Sequence, residues 1–160
     1  MKVIERPAPP TGVLRWLARL PIHLFRARLG WMFGTRVMLL THTGRVSGRE
    51  RRVVIEIVNH DDLRSGHIIC CSGFGEKADW YKNVLRTPEV TVQVGTRAMR
   101  ATATPLSADE GAEAMARYAE RHPRAARKLA RVMGFEVDGS ESDFRAVGRE
   151  RPFVRFTARA

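Results

Sequence analysis

The 160 residues contain only two cysteines, the neighbours Cys70 and Cys71. Adjacent cysteines strain the backbone if they bridge, so they read as reduced thiols in an apolar run, and a cytoplasmic setting is expected. There is no CxxC and no HExxH, which removes the common zinc spacings, and no metal is expected. Long apolar stretches are also missing. The longest are quartets such as Val37-Met38-Leu39-Leu40, far short of the ~20 residues of a membrane span. A secretory signal is not expected, because Arg15 and Arg19 interrupt the first apolar segment and Pro7, Pro9 and Pro10 precede it.

Arginine supplies 24 of the 28 basic residues, against 17 acidic ones, for a formal charge of +11. Its guanidinium is a fixed fork of donors that grips phosphate and carboxylate, so an anionic ligand, a nucleic acid or an acidic membrane surface all suit this balance. Residues 1–11 read as a flexible arm and 12–160 as one domain. Over residues 12–34, Leu14, Leu17 and Leu20 form an apolar stripe broken at Pro21, with Trp16, Trp31 and Phe33 nearby. That segment is either a helical cover for one end of the core or a basic, aromatic helix touching an anionic membrane or closing a substrate pocket.

The middle of the chain alternates as β-strand does. Runs at 36–41 and 51–59 flank the Gly44–Gly48 turn, 67–72 is a short buried strand, and 90–94 and 97–104 flank Gly95-Thr96. Residues 78–86 form a short helix. Ser107 and Glu110 make a capping box for a helix to His122, Pro123 opens another to Met133, Gly139–Asp143 is a loop, and 153–158 closes as a strand. This pattern predicts an α+β fold with a small antiparallel barrel of about six or seven strands and flanking helices.

Two clusters carry possible chemistry. In Thr41-His42-Thr43-Gly44-Arg45-Val46-Ser47-Gly48-Arg49-Glu50-Arg51-Arg52, glycines let backbone amides converge, and Ser47 with Arg45, Arg49 and Arg51 adds donors. It is either an anion cradle or a turn with solvated arginines. In Ser72-Gly73-Phe74-Gly75 and Asp79-Trp80-Tyr81-Lys82-Asn83, glycines leave room for a flat ring or a phosphate beside a helix start. Alternatively Trp80 plugs the barrel.

Together T-H-T-G-R-V-S-G-R, C-S-G-F-G-E, D-W-Y-K-N and P-E-V-T-V-Q-V-G resemble the deazaflavin-dependent nitroreductase family of actinobacteria, from about Pro21 to the last strand. The resemblance implies a split β-barrel like that of FMN-binding proteins, with coenzyme F420 as cofactor and FMN as the alternative. It implies that Gly44, Arg45, Val46 and Ser47 hold the coenzyme's phosphate with Arg51 and Arg52, and that Val53 and Val54 run along the deazaflavin. Cys70, Cys71, Ser72, Gly73, Trp80, Tyr81 and Asn83 complete the implied site, with Ser72 or Tyr81 as candidate catalytic groups. Some relatives carry a lysine at the position of Gly73. Where the nitroimidazole-activating relative has pocket tyrosines, this chain has His122, Ala125 and Lys128.

The expected activity is hydride transfer from reduced deazaflavin to a quinone, enone or nitro compound, with the coenzyme carrying the hard chemistry. A split barrel that only binds flavin, haem or lipid is the alternative. A nucleic-acid reading rests on the basic stripe Arg124, Arg127, Lys128 and Arg131. No nucleic-acid partner is expected, because the β-rich half would then have no role.

Overall fold

The computed structural model describes residues 1–4, 20–26, 34–60 and 65–159. In chain order its elements are β1 (Lys2–Val3), α1 (Leu20–Arg26), β2 (Val37–Thr43), β3 (Glu50–Glu56), β4 (His67–Cys71), α2 (Asp79–Arg86), β5 (Glu89–Val94) and β6 (Arg97–Pro105). Then follow α3 (Ala108–Arg121), α4 (Pro123–Val132), β7 (Phe135–Glu136), α5 (Glu141–Glu150) and β8 (Phe153–Ala158).

Six strands form one antiparallel sheet in the order β3-β2-β5-β6-β8-β4. The sheet curls until its two edges meet. Ile57 pairs with Cys70, and the Val58 N–H donates to the Ile69 carbonyl at 2.9 Å. Closure gives the edge strands partners for their backbone groups. The architecture is the expected α+β split barrel.

Alternation along the strands builds two apolar layers. Met38, Leu40, Ile55, Val92, Val154 and Phe156 fill the interior, together with Trp80, Tyr81 and Val84 of α2. The opposite face of β4 and β8 carries Cys71 and Phe153 into a second layer with Met115, Leu129, Met133 and Phe144 of the helices. Val54 and Leu39 turn outward on β3 and β2 to meet Ile22 of α1. Burying each large side chain contributes roughly 1.5–3 kcal/mol, so period-2 patterning decides which layer every strand residue joins.

Local signals set most element ends. The Ser107 hydroxyl accepts the Glu110 N–H at 3.2 Å while Glu110 accepts the Ser107 N–H at 3.0 Å, the expected capping box. Pro123 opens α4, where its missing N–H costs nothing. The expected loop at Gly139–Asp143 is corrected by the structure: Ser140 accepts the Asp143 N–H at 3.2 Å and starts α5. The N-terminal residues also differ from a free arm. Lys2 and Val3 pair with Glu136 and Phe135, and the Ile4 N–H donates to the Gly134 carbonyl at 2.8 Å. Most of the 12–34 segment, including Trp16, Trp31 and Phe33, lies outside the described residues.

Helices α3 and α5 cross where each carries a glycine. A β-carbon built on Gly111 would stand 2.5 Å from the Gly148 carbonyl oxygen, and one on Gly148 would strike the backbone of Gly111 and Ala112. Backbone on both sides cannot swing away as a side chain would. Gly148→Ala is therefore expected to lower unfolding stability by roughly 2–4 kcal/mol, although Ala exceeds Gly in intrinsic helix propensity. Urea unfolding checks this, and a midpoint at or above that of the parent would contradict the close crossing.

Candidate active site

The turn after β2 is short and internally bonded. The Gly44 N–H donates to the Arg49 carbonyl at 2.8 Å and the Gly48 N–H to the Gly44 carbonyl at 2.9 Å. Gly48 has φ +69°, which glycine adopts at little cost. Val46, at the tip, is 94% exposed. The N–H groups of Val46 and Ser47 have no acceptor among the described residues. A β-carbon built on Gly44 would lie 2.7 Å from the Ser47 hydroxyl and 3.7 Å from Arg51 Nε. The hydroxyl and the guanidinium thus converge on the space that glycine leaves open.

The charges around this space are sorted. Asp79 is paired with Arg45 at 3.1 Å and Glu50 with Arg52 at 3.2 Å. The side chains of Arg49 and Arg51 have no ion pair or hydrogen bond among the described residues. Unspent cations, two free amides and a hydroxyl with no unneutralised carboxylate form a donor set that fits an oxyanion.

The turn is fastened to α2 by its other side. The Arg45 backbone N–H and Nη1 both donate to Asn83 Oδ1, at 3.1 and 2.9 Å. Because Arg45 can only donate, the oxygen of Asn83 faces it, and the amide nitrogen lies 3.1 Å from His42 Nδ1. That nitrogen only donates as well, so His42 accepts at Nδ1 and carries its hydrogen on Nε2. Burial, and then the charge of Arg51 across the strand pair, lower the His42 pKa to about 4, against an opposing pull from Asp79.

Beyond β4 the chain turns sharply. The fully buried Ser72 donates its N–H to the Pro152 carbonyl at 2.9 Å and its hydroxyl to the Gly75 carbonyl at 2.6 Å. Trp80 meets Tyr81 edge-on at 6.0 Å and leans on Phe156 at 6.4 Å. Tyr81 is 9% exposed, and its hydroxyl has neither a hydrogen-bond partner among the described residues nor a sealed environment. Burial, then the charge of Glu76, raise its pKa, so the phenol keeps its proton at neutral pH.

Residues 22–133, well over half of the chain, match the family model described as F420H(2)-dependent quinone reductase. The chain belongs to this family. Its fold is similar to that of an F420-H2 dependent reductase, FDR-A, at 24% identity and TM-score 0.52, covering 76% of this chain and 93% of that one. A conserved hypothetical protein from Mycobacterium tuberculosis (16%, TM-score 0.54, 84% and 80%) shares the fold. So does the heme storage protein HutZ of Vibrio cholerae (10%, TM-score 0.54, 87% and 89%). At these identities the likeness is one of fold. Among curated proteins no significant match is found.

As a family member the protein is an oxidoreductase that passes a hydride from reduced coenzyme F420 to a small-molecule acceptor. The donor set over Gly44 fits the phosphate of that coenzyme. Of the residues to which the sequence points, Gly44, Arg45, Val46 and Ser47 come together in the turn, with Arg51 beside them and Asn83 beneath. Others are separated. Arg52 and Val54 lie on the opposite face of β3 from Arg51 and Val53, with Val54 packed against Ile22 and Leu39 and Val53 against the interior. The neighbouring valines cannot both lay their side chains along one ring.

Cys70 faces the barrel interior, while the Cys71 sulfur lies 3.8 Å from that of Met133 in the helix layer. Both thiols are free and buried, and burial raises the pKa of each. Gly73 is partly exposed, Val132 being its nearest neighbour at 3.4 Å from a built β-carbon. Trp80 is buried as a barrel plug, and the Ser72 hydroxyl spends its proton on Gly75 rather than offering it to a ligand. His42 and Asp79 stand within the two sequence clusters, but the sequence assigns neither a role. The available signal for His42 is its place in the inward series Met38, Leu40, His42, opposite Arg51.

Between pH 6.5 and about 4 an unfolded chain protonates His42 and the native protein does not. Stability is therefore lost as pH falls through that window, by up to roughly 3 kcal/mol in all. Urea unfolding at neutral pH and at about pH 4 checks it: His42→Asn should lose less stability on acidification than the parent. Equal losses would remove His42 from the account.

Proposed function

We propose that the Gly44–Arg49 turn binds the phosphate of reduced F420, that its ring lies toward Gly73 and Tyr81, and that the acceptor is a quinone. The observation that carries this reading is the convergence of the Ser47 hydroxyl and Arg51 Nε over Gly44, beside the free amides of Val46 and Ser47. Arg51 supplies charge, Ser47 and the amides supply direction, and Arg45 holds the turn in place. When bound, the coenzyme supplies the hydride. Reducing a quinone also consumes protons, and Tyr81, protonated and without a partner among the described residues, is the group suited to hold the acceptor oxygen and give one up. Ser72 then supports the loop instead of taking part in the transfer.

Contact with an anionic membrane through residues 12–34 belongs to the same proposal, since Trp16 and Trp31 accompany Arg15 and Arg19 there. Among the described residues no helix is long and apolar enough to cross a membrane. The two free thiols support a cytoplasmic setting. Residues 12–160 are read as one domain. The basic face of α4 is left without a nucleic-acid role.

Fluorescence and absorbance titration with F420, FMN and haem tests the reading, and F420 should bind tightest. Arg51→Ala should weaken F420 binding by about tenfold or more, and added salt should shrink the difference between parent and variant. Parent-like affinity in Arg51→Ala would take the phosphate out of the turn. Tyr81→Phe should lower kcat for a menaquinone analogue by about tenfold or more while leaving the coenzyme Kd nearly unchanged. A parent-like kcat would end the proposed role of Tyr81.

A further inference from the structure

Arg45, Asn83 and His42 form a chain of polar contacts that ends at the buried ring of His42 on β2, opposite Arg51. From it we infer that His42 is a positioning residue for coenzyme binding: it holds Asn83, Asn83 holds Arg45, and the turn is thereby kept facing α2. This rests on the phosphate site proposed above.

An asparagine amide has two lone pairs on oxygen and two hydrogens on nitrogen. Both lone pairs of Asn83 are taken by Arg45, and one hydrogen goes to His42. Asn83 is 3% exposed and His42 5% exposed, so water does not replace a lost partner. Val84 follows Asn83 in the apolar interior that Leu40 also lines. Removing the acceptor at His42 strands an amide N–H there, and the amide relieves this only by turning or withdrawing. Either movement releases the backbone N–H and the guanidinium of Arg45. The turn then keeps only the exposed Arg45–Asp79 pair to aim it at α2, which carries Trp80 and Tyr81.

The charged groups acting on His42 are Arg51 from β3 and Asp79 from α2, with Arg45 of the turn beyond Asn83, while β5 brings the uncharged Thr91 and Val92 alongside β2. Protonated His42 would set an N–H against the N–H of Asn83, so the chain of contacts holds only while the ring is neutral.

The experiment uses the full chain and F420 itself. His42→Leu keeps the volume and removes the acceptor, whereas the side-chain oxygen of His42→Asn stands close to the place of Nδ1. The Leu variant should raise the Kd for F420 by about tenfold, and the Asn variant should stay within about threefold of the parent. Parent affinity should fall below about pH 5 as Nδ1 takes a proton, while that of His42→Asn stays level. Independently of any variant, the nitrogen shifts of His42 in ¹⁵N-labelled protein should report hydrogen on Nε2.

Hydrogen on Nδ1 would overturn the inference, as would a Leu variant that binds like the parent or an Asn variant that binds no better than Leu. If His42→Leu does not fold, the tautomer and the pH profile of His42→Asn decide the question. Parent protein that does not bind F420 would instead remove the phosphate site itself.

Discussion

Asn83 carries a side chain with four hydrogen-bonding positions into an apolar layer between the barrel and α2, where water cannot serve them. The nearby groups able to satisfy it are Arg45, on a turn 38 residues away, and His42, 41 residues away. Meeting that demand brings two stretches of sequence together. The arginines around this turn are likewise differently placed: Arg45 is committed to the fold, Arg52 to Glu50, and Arg51 on β3 has no ion pair among the described residues. A row of basic residues that looks uniform in sequence is thus three different electrostatic objects.

The barrel supplies the rigidity this arrangement needs. β2 and β3 are paired along their whole length from Val37↔Glu56 to Thr43↔Glu50, so the turn between them has little freedom of its own. Helices α3, α4 and α5 cover the outer face of β4 and β8 and leave the turn and the start of α2 exposed. Binding groups on a loop held by closely packed strands are a common division of labour, and the proposed phosphate turn follows it. Here the loop is short, and its orientation comes from side chains rather than from length.

Much of this was legible in the residues. Alternating apolar positions around Gly44–Gly48 identify the hairpin, Ser107 and Glu110 announce a helix, and Pro123 starts the next. What escaped depends on distant partners. Helix α5 is poor in apolar residues and contains Gly148, which disfavours helix until Gly111 of another helix is found against it. His42 looks like one more polar strand residue until Asn83 is seen beneath it. Residue-by-residue resemblance likewise names neighbours in pairs, Val53 with Val54 and Cys70 with Cys71. A strand sends neighbours to opposite faces, so in each pair the two side chains occupy different layers.

The closure of the barrel has its own implication. Five strand pairs are laced by ladders of three to seven residue pairs. At the β3–β4 seam the backbone contributes, among the described residues, the Ile57–Cys70 pairing and the Val58–Ile69 bond, and the Asn59 side chain adds two more by donating to the His67 carbonyl and accepting the Ile69 N–H. In a cylinder seamed this unevenly, the join held partly by one side chain is where local opening costs least. The amides of Ile57 and Val58 and the thiol of Cys70 are the groups that would report an opening there; they lie at the opposite end of β3 from the Gly44–Arg49 turn, while β4, which carries Cys70, runs directly into the Ser72–Gly75 loop.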